Sequence, residues 1–363
     1  MLEGAGHRGL FVGGCVRDAL LSRPVGDVDI ATDARPDTVA MLAEAAGLRV
    51  VPTGIAHGTV TVIADGQPYE VTTFRHDLET DGRRARVGWT DDLVADARRR
   101  DFTMNALYAR ADGTLVDPLG GLGDLMARRV RFVGDPAERI AEDHLRILRF
   151  FRFHAWHGEG APDPEGLAAC ASAATGIDRL SRERIGNEMR RLLAAPDPSG
   201  ALRAMQSTGV LARALPGASA AAMPRLVALE QGEPGDAVRR LAVLGGDDPA
   251  DALRMSRNDS RDVTALRRAA AGQESPAALG WRLGAGRGAD AVLVRAALAG
   301  GALADDWQSE VVRGAGTCFP VRAADLDPAL SGPALGARLA ELRDRWLASG
   351  LRADRDSLLR TGD

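Results

Sequence analysis

The chain contains no lysine: all 46 of its basic Lys/Arg positions are arginine. The bias is that of a GC-rich gene, so an arginine standing where a lysine would serve carries no information. Cysteine is nearly absent too. Cys15, Cys170 and Cys318 have neither metal-ligand spacing nor an even number for pairing. That excludes a disulfide framework and a zinc ribbon, and it fits a reducing cytoplasm. No apolar run is long enough to span a bilayer. The opening "MLEGAGHRG" lacks the charged-then-apolar pattern of a secretory signal. A net charge of −4 gives no whole-protein attraction to nucleic acid. Local basic surface still acts, because only charges within a Debye length of about 8–10 Å bear on a bound phosphate.

What remains is an ordinary soluble composition, 45% apolar and 26% charged over 363 residues, enough for two or more domains. The first third alternates short β-type runs with helices. Leu10–Val12 and Val28–Ile30 read as strands. Thr59–Ala64 and Tyr69–Phe74 read as a hairpin around "DGQP", with Asp65-Gly66 turning. "RPDTVAMLAEAAG" predicts a helix with Pro36 in its first turn and Gly47 beyond its end. The mixture implies an α+β or α/β domain. From Asp135 onward the texture becomes helical, with Ser181 as a helix cap and repeated Gly and Pro breaks to the C-terminus. The organisation expected is a mixed head over residues 1–134, a helical segment over 135–195, and a further helical region over 196–363. "HDLETDGRRARVGWTDD" shows neither period and reads as a mobile loop.

Four runs bear on chemistry. In "DVDIA", strand alternation puts Asp27 and Asp29 on one face. Side by side they repel unless a cation lies between them, and Mg²⁺ would keep positions open for phosphate oxygens; D-x-D also serves commonly in loop solvation or capping. "FVGGCVRDALL" runs a strand through Gly13-Gly14 into a helix, presenting backbone N–H groups to an anion. Gly14 admits a phosphate and Arg17 neutralises it, although the same run serves as a plain strand-to-helix turn. Neither the P-loop nor the dinucleotide fingerprint is present. Glu70 in "YEVTTFR" joins the aspartates if its strand neighbours theirs; otherwise it is an edge glutamate. In "RRRDFTMNALYA", Arg100 suits a triphosphate, and Asp101 and Asn105 suit local structure or a sugar.

"EDHLRILRFFR" is the most informative run. Asp143, Arg146, Arg149 and Arg152 recur every three residues, along one side of an expected helix. A salt-bridged helix face over Leu145, Leu148 and Phe151 explains that spacing. A second explanation has sharper chemistry. A carboxylate accepts from an exocyclic amino group while a guanidinium donates to the adjacent ring nitrogen. Cytosine and adenine both offer that order, whereas guanine and uracil reverse it. Each buried polar group left unpaired costs about 1–3 kcal/mol, so such a pair selects C and A together.

"GGCVRD", "DVDIAT", "PTGIAHGTVTV", "EVTTFR", "RRDFTMNA", "DPLGGLGDL" and "EDHLRILRFFRF" stand in order across Leu10–Phe153. Together they closely resemble the class II tRNA nucleotidyltransferases, the bacterial CCA-adding enzymes of the polymerase-beta superfamily. Beyond Arg191 only the texture is similar. The resemblance implies a small mixed-sheet nucleotidyltransferase head followed by an all-helical neck, body and tail. It implies template-independent addition of CMP and AMP from CTP and ATP to a tRNA 3′ end, in the cytoplasm, with no membrane or protein partner required. It assigns Asp27 and Asp29 to the catalytic Mg²⁺, with Glu70 a third candidate. Gly14, Arg17 and Arg100 would meet the phosphates and sugar. Asp143 and Arg146 would read the incoming base, and Arg149 and Arg152 would make further nucleotide contacts. The segment His76–Trp89 falls where the family has a loop that helps switch from C to A addition.

The sequence departs from relatives in two places. Little chain precedes the first strand, where relatives often carry a longer leading helix. No histidine follows His157, which excludes the HD-type phosphohydrolase domain of some relatives and leaves the His76-Asp77 pair incidental. Partial activities remain as alternatives: CC-adding, A-adding, or poly(A) polymerase. The substantial loop speaks against the first of these, and "TGIAHGTVTV" in place of a basic "GRRF"-like stretch speaks against the last. An RNA-binding protein that lost its chemistry would not need Asp27, Asp29 and Arg17. A small-molecule nucleotidyltransferase would not need the Asp143–Arg146 segment.

Overall fold

The computed structural model describes residues 1–51, 54, 58–81 and 84–360, giving only the backbone between 77 and 87. Part of the "PTGIAHG" run, Pro52, Thr53 and Ile55–His57, therefore lies outside the described residues. The chain forms two compact units: residues 1–188 with 200–214, and 189–199 with 215–363.

The first unit is built on a seven-stranded mixed sheet. Strands β1 (Gly9–Val12), β2 (Asp29–Thr32), β3 (Arg49–Val51), β4 (Thr59–Ala64), β5 (Gln67–Thr73), β8 (Tyr108–Ala109) and β9 (Leu115–Val116) lie in the order β3-β4-β5-β2-β1-β8-β9. Alternate residues of β1 and β4 are buried, the period of a sheet covered on one face. The expected hairpin is present. Asp65 and Gly66 both take positive φ, 51° and 77°, as a two-residue primed turn requires, and Ala64 pairs with Gln67. Helix α1 (Gly14–Leu20) follows β1, and α2 (Pro36–Ala45) follows β2 with proline in its first turn. Both pack apolar side chains onto the sheet, as with Val39 and Ala43 against Val60, Val62 and Val71. The β2–β5 pair is parallel, and its register sets Asp29 opposite Glu70.

Residues Arg75–Asp81 and Arg84–Trp89 form strands β6 and β7, a separate antiparallel pair registered from Arg75↔Trp89 to Asp81↔Arg84. The expectation of an irregular loop is thus corrected for the described part of this segment. Its partners are backbone groups, so pairing needs no apolar face and leaves no period in the sequence. Helix α3 (Leu93–Arg98) returns the chain, and a 3₁₀ turn (Thr103–Asn105) and α4 (Gly121–Met126) complete the mixed part of the unit.

Asp135 then caps α5 (Pro136–Glu142), accepting the Glu138 N–H at 2.9 Å, with Pro136 at the first position. Helix α6 (Leu145–His157) follows. The single helix expected through "AEDHLRILRFFR" is two, because Asp143 is extended, with φ −154° and ψ 108°. Phe150, Phe151 and Phe153 anchor α6 in the core. Phe150 stacks on Phe132 at 5.5 Å, and Phe153 meets Phe102 at 5.0 Å. Helices α7 (Pro164–Ser172), α8 (Arg182–Leu193), α9 (Ser199–Ser207) and α10 (Val210–Ala214) follow.

The second unit carries helices α11 (Met223–Leu229), α12 (Ala237–Leu244), α13 (Pro249–Ala252), α14 (Arg257–Ala271), α15 (Pro276–Ala299), α16 (Trp307–Ala315), α17 (Gly332–Ala348) and α18 (Arg355–Arg360). Its core holds a buried ion group. Glu230 accepts from Arg240 Nη2 at 2.7 Å and from Arg239 Nε at 2.8 Å, and Arg239 also donates to Asp290 at 2.8 Å. Among the described residues no helix is long and apolar enough to cross a membrane.

Candidate active site

A cleft of about 590 Å³ opens in the first unit between β1, β2, α3, the 3₁₀ turn, α6 and the start of α8. Seven arginines and three aspartates line it, an excess of four positive charges. Gly14, Arg17, Asp29, Arg100, Asp143, Arg146 and Arg149 all face it, although they span 136 positions of chain. Arg152, Asp27 and Glu70 are not among its lining residues.

At one end stand carboxylates. Asp29 opens β2, and Asp27 lies in a bend two residues earlier; the strand expected to carry both begins only at Asp29. Glu70 is the Cα partner of Asp29 in the parallel pair, and such partners share a face. Burial, followed by the negative charge of Glu70, pushes the Asp29 carboxyl above its ordinary range; Arg100 opposes this and Asp27 adds to it. A carboxylate so placed lacks counter-charge on its acidic side. That donor set fits a hard, oxygen-preferring cation. Among the described residues no three His, Cys, Asp or Glu side chains form a complete ligand group.

Next to the carboxylates the backbone turns through Gly13, at φ 74° and ψ −124°, a conformation that L side chains rarely adopt. A Cβ there would stand in ordinary contact with Arg100 Nη1, at 3.4 Å, so the backbone conformation is what calls for glycine. Arg100 is held by Asp96, which accepts from its Nη2 at 3.2 Å, from Arg99 Nε at 3.0 Å and from the Tyr108 hydroxyl at 2.7 Å. Burial alone would raise the Asp96 carboxyl, but Arg100, Arg99 and Tyr108 hold it below the usual range. Arg17 is 8% exposed; it grips Asp18 through Nε and Nη2, each at 2.9 Å, and donates from Nη1 to Asn105 at 2.7 Å. Asn105 donates in turn to Asp101 at 3.0 Å, and Asp101 accepts from Arg149 Nε at 2.9 Å. Arg17, Arg149 and Arg152 all lie over the Phe153 ring, at 5.4, 5.3 and 4.5 Å from its centroid. One aromatic ring thereby organises three guanidiniums, through cation–π attraction.

At the other end Asp143 fills the break between α5 and α6. Its Oδ1 accepts the Leu145 N–H at 3.0 Å, and its Oδ2 accepts from Arg184 Nη2 at 2.6 Å. Arg146 donates to the carbonyl of Arg139 at 2.6 Å and to Glu142. Both groups are fixed before any ligand arrives. Each carboxylate oxygen can take a second hydrogen bond, so Asp143 keeps acceptor capacity.

Residues 10–131 match the family model described as the poly A polymerase head domain. Residues 161–222 match the one described as a probable RNA and SrmB-binding site of polymerase A. The CCA-adding enzyme of Levilactobacillus brevis is 44% identical over 211 residues, 58% of this chain and 52% of that protein. The mitochondrial CCA tRNA nucleotidyltransferase 1 of Danio rerio is 44% identical over 186 residues, 50% of this chain and 43% of its own length. The matched segment thus spans about half the length of these curated relatives. The crystal structure of the Bacillus stearothermophilus CCA-adding enzyme in complex with CTP superposes with a TM-score of 0.76 at 30% identity. The match covers 96% of this chain and 90% of that one. The chain belongs to the CCA-adding enzyme family.

In this family member the site contains residues that the sequence reading passed over as site groups. Arg184 stands three residues after the cap Ser181, where a capping box would hold Glu; in the fold it donates to Asp143. Asp96 lies outside the quoted runs, and Tyr108 and Phe153 lie inside them without a role of their own, yet each acts by holding an arginine. The one available signal is chemical: arginines gathered around a polyanion need buried acceptors and rings to space them. Arg152 donates to Glu188 at 2.6 Å while stacking on Phe153, outside the cleft lining. Nucleotidyltransferases of this family are generally metal-dependent.

Proposed function

We propose that the chain adds CMP and AMP, from CTP and ATP, to the 3′ end of tRNA without a nucleic-acid template and releases pyrophosphate. The observation that carries this reading is one cleft lined by Gly13-Gly14, by Asp29, by the Asp143–Arg146 pair and by arginines from several elements. Its excess of four positive charges suits a nucleoside triphosphate. Arg17 and Arg100 would neutralise the phosphates, and Gly13-Gly14 would let them approach the backbone. Asp27 and Asp29 would hold Mg²⁺, with Glu70 beside them. When bound, the ion supplies Lewis acidity toward the attacking hydroxyl and the leaving pyrophosphate.

Asp143 would accept the exocyclic amino group of C or A while Arg146 donates to the neighbouring ring nitrogen. Arg149 and Arg152 would keep that end of the cleft in register through Phe153, Asp101 and Glu188. Transfer of this kind needs positioning and charge neutralisation rather than a protein nucleophile. Head, neck, body and tail would divide at about residues 134 and 195, with the helical residues 196–363 engaging RNA phosphates, which makes binding salt-dependent. All three cysteines are free thiols and Cys318 is exposed, which fits a cytoplasmic site of action. The test supplies tRNAs ending before CCA, after C and after CC, with CTP or ATP, and sizes the products. Stepwise completion to CCA is expected. Arrest after CC, addition of A alone, or long A tails would replace the reading with a partial activity.

A further inference from the structure

Arg139 touches neither the carboxylates nor the base-reading pair directly by side chain, yet it is 7% exposed and joins two segments of the cleft. Its Nη2 donates to the carbonyl of Arg100 at 2.9 Å and also to that of Arg99. Its Nη1 donates to Glu142, and the same oxygen, Oε2, receives Arg146 Nη1. The main-chain carbonyl of Arg139 accepts from Arg146 at 2.6 Å. One residue therefore fixes the backbone under Arg99 and Arg100 from one side and the guanidinium of Arg146 from the other.

We propose that Arg139 is a positioning residue that couples the triphosphate end of the cleft to the base-reading end. A shift of the Arg99–Arg100 backbone, such as binding of phosphate to Arg100 would favour, moves the carbonyls that hold Arg139. Arg139 then moves the Glu142 carboxylate that aims Arg146. Discrimination of the base and grip on the triphosphate become one property. A planar guanidinium can serve two carbonyls and a carboxylate at once, whereas an ammonium is a point donor on a flexible stem. The inference rests on the proposed function for the identity of the base.

The full-length chain is tested as wild type, Arg139→Gln, Arg139→Lys and Glu142→Gln, each checked for cooperative melting. Equilibrium affinities with Mg²⁺ are measured for CTP, UTP and inorganic tripolyphosphate, beside incorporation onto tRNA. Arg139→Gln is expected to lower the CTP-over-UTP preference about tenfold and to weaken tripolyphosphate as well, from loss of hydrogen bonds to charged groups. Arg139→Lys is expected to recover little of either. Glu142→Gln removes the charge that both Arg139 and Arg146 grip but leaves the Arg139 Nη2 bonds to the Arg99 and Arg100 carbonyls in place, so preference falls while tripolyphosphate binding holds. A folded Arg139→Gln chain with unchanged preference, or with tripolyphosphate weakened and preference intact, overturns the coupling. If that chain does not fold, Glu142→Gln decides by the same preference. A wild type that extends no tRNA and binds CTP and UTP alike refutes the functional reading instead. The positioning role then stands or falls on tripolyphosphate, and is overturned if Arg139→Gln binds it as well as wild type.

Discussion

His157 ends α6 in a cationic setting, and that setting fixes a pH dependence of folding. Its ring is 8% exposed, and Arg23 Nη1 donates to its Nδ1 at 2.9 Å and to the Trp156 carbonyl at 2.8 Å. Since Arg23 can only donate, Nδ1 must accept, and the folded imidazole is neutral. Burial, then the positive charges of Arg17, Arg23, Arg152 and Arg128, pushes its pKa down to about 2. The unfolded ring takes up a proton near pH 6.5. Between those values the unfolded chain binds more protons, so stability is full above about 6.5 and falls as the pH drops. The slope for one group is about 1.4 kcal/mol per pH unit, hence about 2 kcal/mol from pH 6.5 to 5.0. His154, also lowered by burial, adds in the same direction. The Asp96 and Asp101 carboxyls, both held below the usual range, lose their contribution only as the pH falls below the ordinary carboxylate range, outside this window.

His157→Asn separates the contribution, because its Oδ1 can accept from Arg23 where Nδ1 did and has no proton to gain. Two compact units make a single unfolding free energy ill-defined. The readout is therefore hydrogen exchange of α6 amides from pH 7.5 to 5.0, corrected for intrinsic rates. The variant should lose about one proton's worth of slope relative to wild type. An identical slope in both proteins, or an imidazole titrating near 6.5 in the folded wild type, would refute the reasoning.

Three further outcomes follow from the same structure. Glu70 is the largest charged contributor raising Asp29, so Glu70→Gln should lower that carboxyl and move the acid limb of Mg²⁺-dependent incorporation to lower pH; an unmoved limb in the pH–rate profile counts against their proximity. A Cβ on Gly176 would stand 1.6 Å from His144 Cδ2, so Gly176→Ala must displace the residue beside Asp143. It should cost about 1–3 kcal/mol by overpacking and lower kcat/KM for CTP, measured by primer extension with thermal melting alongside. Arg240, 0% exposed, donates to the carbonyls of Leu193 and Pro196 at 2.6 and 3.0 Å and to Glu230. Arg240→Met breaks a buried pair and should destabilise the second unit by about 3–5 kcal/mol, seen as a lower midpoint in exchange of α12 and α15 amides.

The elements around the cleft were legible where one local rule decides them. Alternation in β1 and β4, the positive-φ pair Asp65-Gly66 and the proline-led start of α2 each follow from a few neighbouring residues. The β6–β7 pair was not legible, since its energy lies in backbone partners that leave no side-chain period. Arg184 and Asp96 were missed for a related reason. Each acts on residues 41 and 4 positions away respectively, and no motif records what a carboxylate faces once the chain has folded.

The break at Asp143 shows how a residue of the cleft can be reached through a wrong element. Spacing by three suggested one helical face carrying Asp143, Arg146, Arg149 and Arg152. In the fold Asp143 is extended, and its Oδ1 caps the Leu145 N–H. Within a continuous helix that N–H would bond to a carbonyl four residues back, and the carboxylate would keep its rotamer freedom. Leaving the helix for one turn uses Oδ1 as a cap and turns Oδ2 to Arg184, so both oxygens are fixed. On the proposed function, a group that tells an exocyclic amino group from an exocyclic carbonyl oxygen would gain from such immobility, because each rotamer frozen in advance is entropy not lost on binding. Replacing Arg184 by Met should therefore leave α6 intact yet release Oδ2, lowering the CTP-over-UTP preference by about tenfold or more, as loss of a hydrogen bond between charged groups implies. Competition between CTP and UTP for one tRNA end measures this. A folded Arg184→Met chain with wild-type preference would show that the Asp143 carboxylate is held well enough by its cap alone.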